Sequence, residues 1–397
     1  MNSMPLPVLP LCEIFCRVVD NFGDIGVCWR LARELAQNRG FAVRLWVDDW
    51  TAFVRLCPQA GVVQPGGAHH IAGVDIRWWT DPLPTLEPGE LVIEAFACEL
   101  PETRLQAMAR RRPAPVWINL EYLSAEDWVA GCHGLASPHP RLGLIKHFFF
   151  PGFDQCSGGL LRENGLLAAR DAFVAGQQAQ WWAEHGLADL PAQALRISLF
   201  AYERPGLSAL LQLWAAAEDP VVLLVPEGRV LGDVARALGR SQLVCGDRVV
   251  QGRLTVVVLP FSDQPAYDRL LWACDLNFVR GEDSFVRAQW AAHPFVWQIY
   301  PQACGADADK LAAFLARHTA GLDPDAARAL QRFWTAWNAA GEACADGSAL
   351  VAAWPAFAAA LPTLAAHARR WCETLAAQPD LSTRLTEFFL QIRDRAG

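Results

Sequence analysis

Lysine is nearly missing from this chain: Lys146 and Lys310 are the two among 397 residues, so arginine supplies almost all the fixed positive charge. Acidic residues still outnumber basic ones, 42 Asp+Glu against 34 Lys+Arg, a net charge of −8 with histidine neutral. No positive field exists to hold a phosphate backbone by counterion release, which argues against general nucleic-acid binding. Twelve cysteines are present, but none forms a C-x-x-C pair, and the nearest spacing, Cys12 and Cys16, lies in an apolar run. Reduced, buried thiols in a cytoplasmic protein are the expectation. The nine histidines make no H-E-x-x-H, and the adjacent pair His69-His70 is too short to chelate well, so a catalytic metal is not expected. A G-x-S-x-G nucleophile elbow, a Walker loop and the three-glycine dinucleotide fingerprint are also missing. The first ten residues lack a positive region and carry three prolines, which does not read as an export signal. Residues 349–366 form an 18-residue uncharged stretch, near the lower limit of a membrane span. Pro355 and Pro362 would each remove a backbone donor that lipid cannot replace, so a packed helical region and no membrane partner are predicted.

What the chain has is apolar mass: 53% hydrophobic residues, with 17 Trp and 20 Phe but only 4 Tyr. At roughly 150 residues per domain this predicts two or three globular domains. Apolar runs at 11–19, 41–47, 74–78, 90–94 and 115–120 alternate with helix-like stretches such as 27–38 and 101–112. The alternation predicts βαβ units and a mostly parallel sheet. It weakens between 148 and 192 and restarts with strands expected at 196–202, 221–225, 254–260, 275–279 and 294–300. Helices are expected at 207–217, 264–273, 285–292 and 306–318. The expected division is therefore an N-terminal Rossmann-like domain at 1–165 and a second at 190–370. A C-terminal helix at 371–397 is expected to pack back on the first domain.

Ligands of open α/β sheets bind beyond the carboxyl ends of the strands, so the residues just after strands matter most. The first such loop is Asp20-Asn21-Phe22-Gly23-Asp24-Ile25-Gly26. Its glycines permit conformations that other residues resist, and Asp24 is placed to cap the following helix or organise the turn. Asp20 lies four residues too early to be that cap and is positioned to present its carboxylate to a cleft. The second loop is Arg280-Gly281-Glu282-Asp283-Ser284. Here Gly281 allows a tight turn, Asp283 or Ser284 can cap a helix, and the positive helix start with Arg280 suits a diphosphate. Two carboxylates beside a diphosphate would repel it, so Glu282 is expected to point toward a cationic or hydroxyl-bearing partner. An ordinary acidic helix start remains the alternative. Phe200, Tyr202 and Phe261 follow strands of the second domain and could stack on a base, although such rings more often belong to the core.

Three strings carry a resemblance: Asp20 to Arg33 (DNFGDIGVCWRLAR), Trp117 to Glu126 (WINLEYLSAE), and Tyr267 to Trp290 (YDRLLWACDLNFVRGEDSFVRAQW) followed by Pro294 to Gln302 (PFVWQIYPQ). They resemble the bacterial protein-arginine rhamnosyltransferases that modify elongation factor P, in order from about residue 11 to 302. The resemblance implies a GT-B type α/β fold of two Rossmann-like domains facing each other across a cleft. It implies an inverting glycosyltransferase that moves L-rhamnose from dTDP-β-L-rhamnose to an arginine of elongation factor P, with no cofactor. It casts Asp20 as general base, Asp24 as a supporting acid and Glu282 as a second carboxylate. Asn21, Phe22 and Gly23 become substrate contacts of the same loop, Tyr202 and Phe261 nucleotide contacts, and Arg280, Gly281, Asp283 and Ser284 the diphosphate loop. A GT-B enzyme with a lipid or small-molecule acceptor, or a non-catalytic nucleotide-binding protein, are the competing readings.

Overall fold

The run Leu11-Cys-Glu-Ile-Phe-Cys16 has five of its six residues buried, as expected for a parallel strand covered on both faces. It opens the first of two compact units in the computed structural model, which describes residues 9–19, 22–301, 305–341 and 346–396. The first unit comprises the residues up to Asn164 together with those from Ala376 onward, and the second runs from Gly165 to Leu375.

The first unit is built on eight strands: β1 (Leu11–Cys16), β2 (Ala42–Val47), β3 (Ala68–Ile71), β4 (Val74–Trp78), β5 (Leu91–Ala95), β6 (Val116–Leu120), β7 (Ala136–Pro138) and β8 (Ile145–Phe149). Their order is β3-β4-β2-β1-β5-β6-β8-β7. All neighbours are parallel except the edge pairs β3/β4 and β7/β8. Chain order reverses between β1 and β5, which makes their carboxyl ends the switch point of a Rossmann-like sheet. A carboxylate lies at the centre: Glu13 of β1 is fully buried. It accepts from Arg44 at 3.0 Å, Trp46 Nε1 at 3.1 Å, the Gly89 N–H at 3.0 Å and Arg104. Four donors compensate the lost hydration of a buried charge. The last helix, Leu381–Ala396, buries Leu381, Leu385 and Phe389 at four-residue spacing. It sets Phe389 edge-on to Phe41 and Phe388 edge-on to Phe149.

The second unit has six strands: β9 (Leu195–Leu199), β10 (Val221–Pro226), β11 (Arg248–Gln251), β12 (Leu254–Leu259), β13 (Leu276–Arg280) and β14 (Phe295–Gln298). Their order is β11-β12-β10-β9-β13-β14, with only β11/β12 antiparallel. The reversal here falls between β9 and β13. Helix Pro324–Asn338 starts on an Asp323 cap with proline in its first turn, a start that satisfies orphan N–H groups and prefers the fixed proline φ.

Some expectations fail locally. The antiparallel edge strands β3, β7 and β11 and the parallel β8 were not anticipated. They are three to five residues long and carry exposed or half-buried positions instead of a continuous apolar run. Several strands end earlier than their apolar runs, as β1 does at Cys16. The packed helical region expected around Pro355 and Pro362 is found, as one 29-residue helix, Ser348–Ala376, with both prolines inside it. By length and composition it could cross a membrane. One face is packed, however, with Trp354 against Trp214 (ring centroids 5.0 Å) and Phe357 stacked on Phe333 (4.5 Å).

In the second unit His318 is enclosed by Phe295, Phe314 and Trp334, with His367 beside it. Burial, and secondarily the His367 ring, pushes its pKa down from 6.5 to about 3. Between those values the unfolded chain binds a proton that the folded chain refuses, so stability falls as pH drops, by at most about 1.4 kcal/mol per pH unit. His318→Phe is expected to flatten that slope in urea titrations spanning the interval.

Candidate active site

The loop after β1 begins with two backbone N–H groups already committed to side chains. Val18 donates to Asp48 Oδ1 at 2.9 Å and Val19 to Asp24 Oδ2 at 2.7 Å. Asp24 is buried and lies inside the first turn of helix Gly23–Asn38, whose N-cap position is Phe22 and carries no side-chain cap bond. The expected cap by Asp24 is therefore corrected: its carboxylate reaches back to the strand end, where the helix dipole also favours a negative charge. The glycine argument is corrected too, because Gly23 and Gly26 are helical residues and not left-handed ones. Phe22 is half-buried beneath the Arg55 guanidinium, 5.6 Å from its ring centre. Asp20 and Asn21 lie outside the described residues.

Across the switch point, the turn after β5 holds something the sequence did not signal. Phe96, Ala97 and Glu99 have φ of 57°, 53° and 54°, a left-handed region that costs non-glycine residues on the order of 1 kcal/mol each. Two buried side chains hold it. Asn119 accepts from the Ala97 N–H and Glu94 from the Glu99 N–H, each at 3.1 Å. Phe96 stacks on Tyr122 at 4.5 Å, while Ala97 and Glu99 are exposed at the carboxyl edge of the sheet. No Gly or Asn marks the positions, so the strain was invisible in the sequence.

In the second unit all five residues of β13 are buried, which fixes Arg280 at the sheet's carboxyl edge. Gly281 turns the chain with φ +60°. Its N–H donates to the Gln298 carbonyl at 3.2 Å, and its carbonyl accepts from Trp297 Nε1 at 2.7 Å. Helix Asp283–Ala291 follows, with half-buried Glu282 at the N-cap position and no side-chain cap bond. The expected cap by Asp283 or Ser284 is not formed. The Ser284 hydroxyl instead donates to the Arg280 carbonyl and accepts from the Arg280 N–H at 3.0 Å, closing the turn on itself. Arg280 is 5% exposed, and its guanidinium lies over the rings of Phe200 (4.5 Å) and Tyr202 (4.6 Å). The cation therefore lies over both aromatics, since a planar guanidinium stacks well on π faces. Phe261 is half-buried at the carboxyl end of β12, its N–H donating to Glu227 at 3.3 Å. Within this unit the structure gathers Tyr202, Arg280, Gly281, Glu282, Asp283 and Ser284 beside the switch point. Among the described residues no group of three His, Cys, Asp or Glu side chains could hold a metal ion.

Two Rossmann-like units are the make-up of GT-B glycosyltransferases, the class to which the structurally similar proteins belong. At the level of the fold alone, a glycosyltransferase from Rickettsia africae ESF-5 superposes with a TM-score of 0.53 at 8% identity, covering 98% of each chain. The profile of the elongation-factor P (EF-P) rhamnosyltransferase EarP matches residues 12–390, and this chain belongs to that family. It is 51% identical over 378 residues to a protein-arginine rhamnosyltransferase of Pseudomonas putida, covering 95% of this chain and 98% of the relative. It is 50% identical over 379 residues, with the same coverage, to one of Pseudomonas aeruginosa. A solved structure reported as the structural basis for EarP-mediated arginine glycosylation of translation elongation factor EF-P superposes with a TM-score of 0.66. Identity there is 38%, over 96% of this chain and 99% of its counterpart.

Helix Asp283–Ala291 is held by a buried pair. Arg287 donates to both carboxylate oxygens of Asp268 at 2.8 Å, and the two residues are 2% and 4% exposed. Asp268→Ala removes the carboxylate from a buried guanidinium and is expected to cost about 3–5 kcal/mol, measured by urea unfolding followed through tryptophan fluorescence.

Proposed function

We propose that this enzyme transfers L-rhamnose from dTDP-β-L-rhamnose to one arginine side chain of elongation factor P, with inversion at the anomeric carbon. The observation that carries the reading is half-identity along nearly the whole chain to protein-arginine rhamnosyltransferases. Its chemistry suits the residues at both strand-end loops. An arginine is protonated at any physiological pH and is a poor nucleophile in that state. Asp20 binds the guanidinium, orients one nitrogen and takes its proton as the C–N bond forms and the sugar–phosphate C–O bond breaks. Asp24 ties Asp20's loop to the strand end. Glu282 holds the cation or stabilises positive charge building on the sugar ring. The departing dTDP gains charge, which Arg280, Ser284 and the N–H groups of the helix start at Asp283 stabilise. Tyr202 and Phe261 are assigned to the nucleotide, Tyr202 acting through the stacked Arg280. The chemistry draws on no cofactor beyond the donor itself. The chain's negative charge favours an arginine-bearing protein loop as acceptor, and a cytoplasmic setting matches a translation factor and the free thiols.

Incubation with elongation factor P and dTDP-rhamnose is expected to add the mass of one rhamnose to the factor. Asp20→Asn is expected to bind the donor normally while transfer slows by about 10²–10⁴-fold. Turnover at the parent rate would remove Asp20 from its role. Glu282→Gln is expected to lose transfer with the donor still bound, read by calorimetry beside the same mass assay.

A further inference from the structure

A buried phenol stands behind the diphosphate loop with nothing to do in the steps above. Tyr267 belongs to helix Gln264–Ala273, which starts on an Asp263 cap, and its neighbour Asp268 is the residue that clamps Arg287. Its ring meets Phe200 edge-on at 5.4 Å, the same ring that carries the Arg280 guanidinium. Its oxygen is sealed from solvent beside the Ser284 side chain, yet makes no hydrogen bond of standard geometry with any described residue. Tyr267, Phe200, Arg280 and Ser284 thus close a ring around the turn.

A serine hydroxyl has one proton and two lone pairs. In this structure Ser284 directs its proton inward, to the Arg280 carbonyl, and accepts the Arg280 N–H. To bind a phosphate oxygen it must turn that proton outward, which leaves a lone pair on the inner side to be satisfied. Resting on the assignment of this loop to the donor's diphosphate, we infer that Tyr267 is a positioning residue for donor binding. Its O–H donates to Ser284 Oγ once the diphosphate arrives, and the serine proton then leaves the Arg280 carbonyl for a phosphate oxygen. No bond other than hydrogen bonds changes. Burial, reinforced by the nearby Asp283 and Asp268 charges, pushes the phenol pKa far up, so the group remains a donor throughout the working pH range.

The test is a double-mutant cycle on the full-length enzyme with Tyr267→Phe, Ser284→Ala and the pair. Titration with dTDP-rhamnose and with dTDP is followed by steady-state transfer to elongation factor P. Tyr267→Phe is expected to weaken binding of both ligands about five- to tenfold, the worth of one ordinary hydrogen bond, with kcat nearly unchanged. Its melting temperature should hold or rise, because a buried hydroxyl without a partner is removed. In the Ser284→Ala background the same change should add nothing. Additive losses, or a Tyr267→Phe enzyme that binds both ligands like the parent, overturn the inference. Ser284→Ala with undiminished donor binding overturns the diphosphate assignment itself and the tyrosine's part with it. A weakened Ser284→Ala beside an unweakened Tyr267→Phe overturns only the latter.

Discussion

One hydroxyl holds the turn at the carboxyl end of β13. Between Arg280 and Ser284 the chain must leave a fully buried strand and enter a helix within four residues. Gly281 supplies the left-handed step, and Ser284 Oγ bonds both polar groups of the Arg280 peptide. That side chain is spent on the turn, and the N-cap residue Glu282 makes no side-chain cap bond to the helix. Helices beginning after Asp49, Asp263 and Asp323 are capped by those aspartates. The Asp268–Arg287 pair then fixes the axis of helix Asp283–Ala291.

The first unit solves a related problem with strain instead of a staple. At its switch point the turn after β5 runs through three left-handed non-glycine residues, held by the buried side chains of Asn119 and Glu94. Glu94 also accepts from Trp117 Nε1 at 3.1 Å and pairs with Lys146 at 3.4 Å. A buried carboxylate with this many partners is a rigid anchor, and a strained turn persists only where its surroundings over-determine it. Deeper in the same sheet Glu13 gathers two arginines, an indole and a peptide N–H, so the unit's centre is polar but satisfied.

Most of the architecture was readable from periodicity. Continuous apolar runs of five or six residues became the central parallel strands, and helical spacing marked 264–273 and 306–318 to the residue. What escaped were short edge strands such as Ala68–Ile71, where pairing with a neighbour and not burial decides the conformation. The expected helical region around Pro355 and Pro362 is a single helix with both prolines inside it, because a helix packed along one side can lose two donors and continue. Position after a strand located Arg280, Gly281 and Ser284 in the turn that leaves β13. The detailed partners were not foreseeable. Asp24 and Ser284 were both expected to cap helices, and each instead bonds backbone on the strand side of its loop.

Sequence alone determined the α/β alternation, the two strand-end loops and, through long ordered strings of matching residues, the family. These are local or linear properties, set by side-chain period and residue identity. Tertiary structure alone decided that Arg280 lies over Phe200 and Tyr202, that Tyr267 stands behind Ser284, and that Phe96, Ala97 and Glu99 are strained. Each joins side chains from different strands and helices, and no pattern along the chain reports which neighbours a folded sheet will bring within bonding distance.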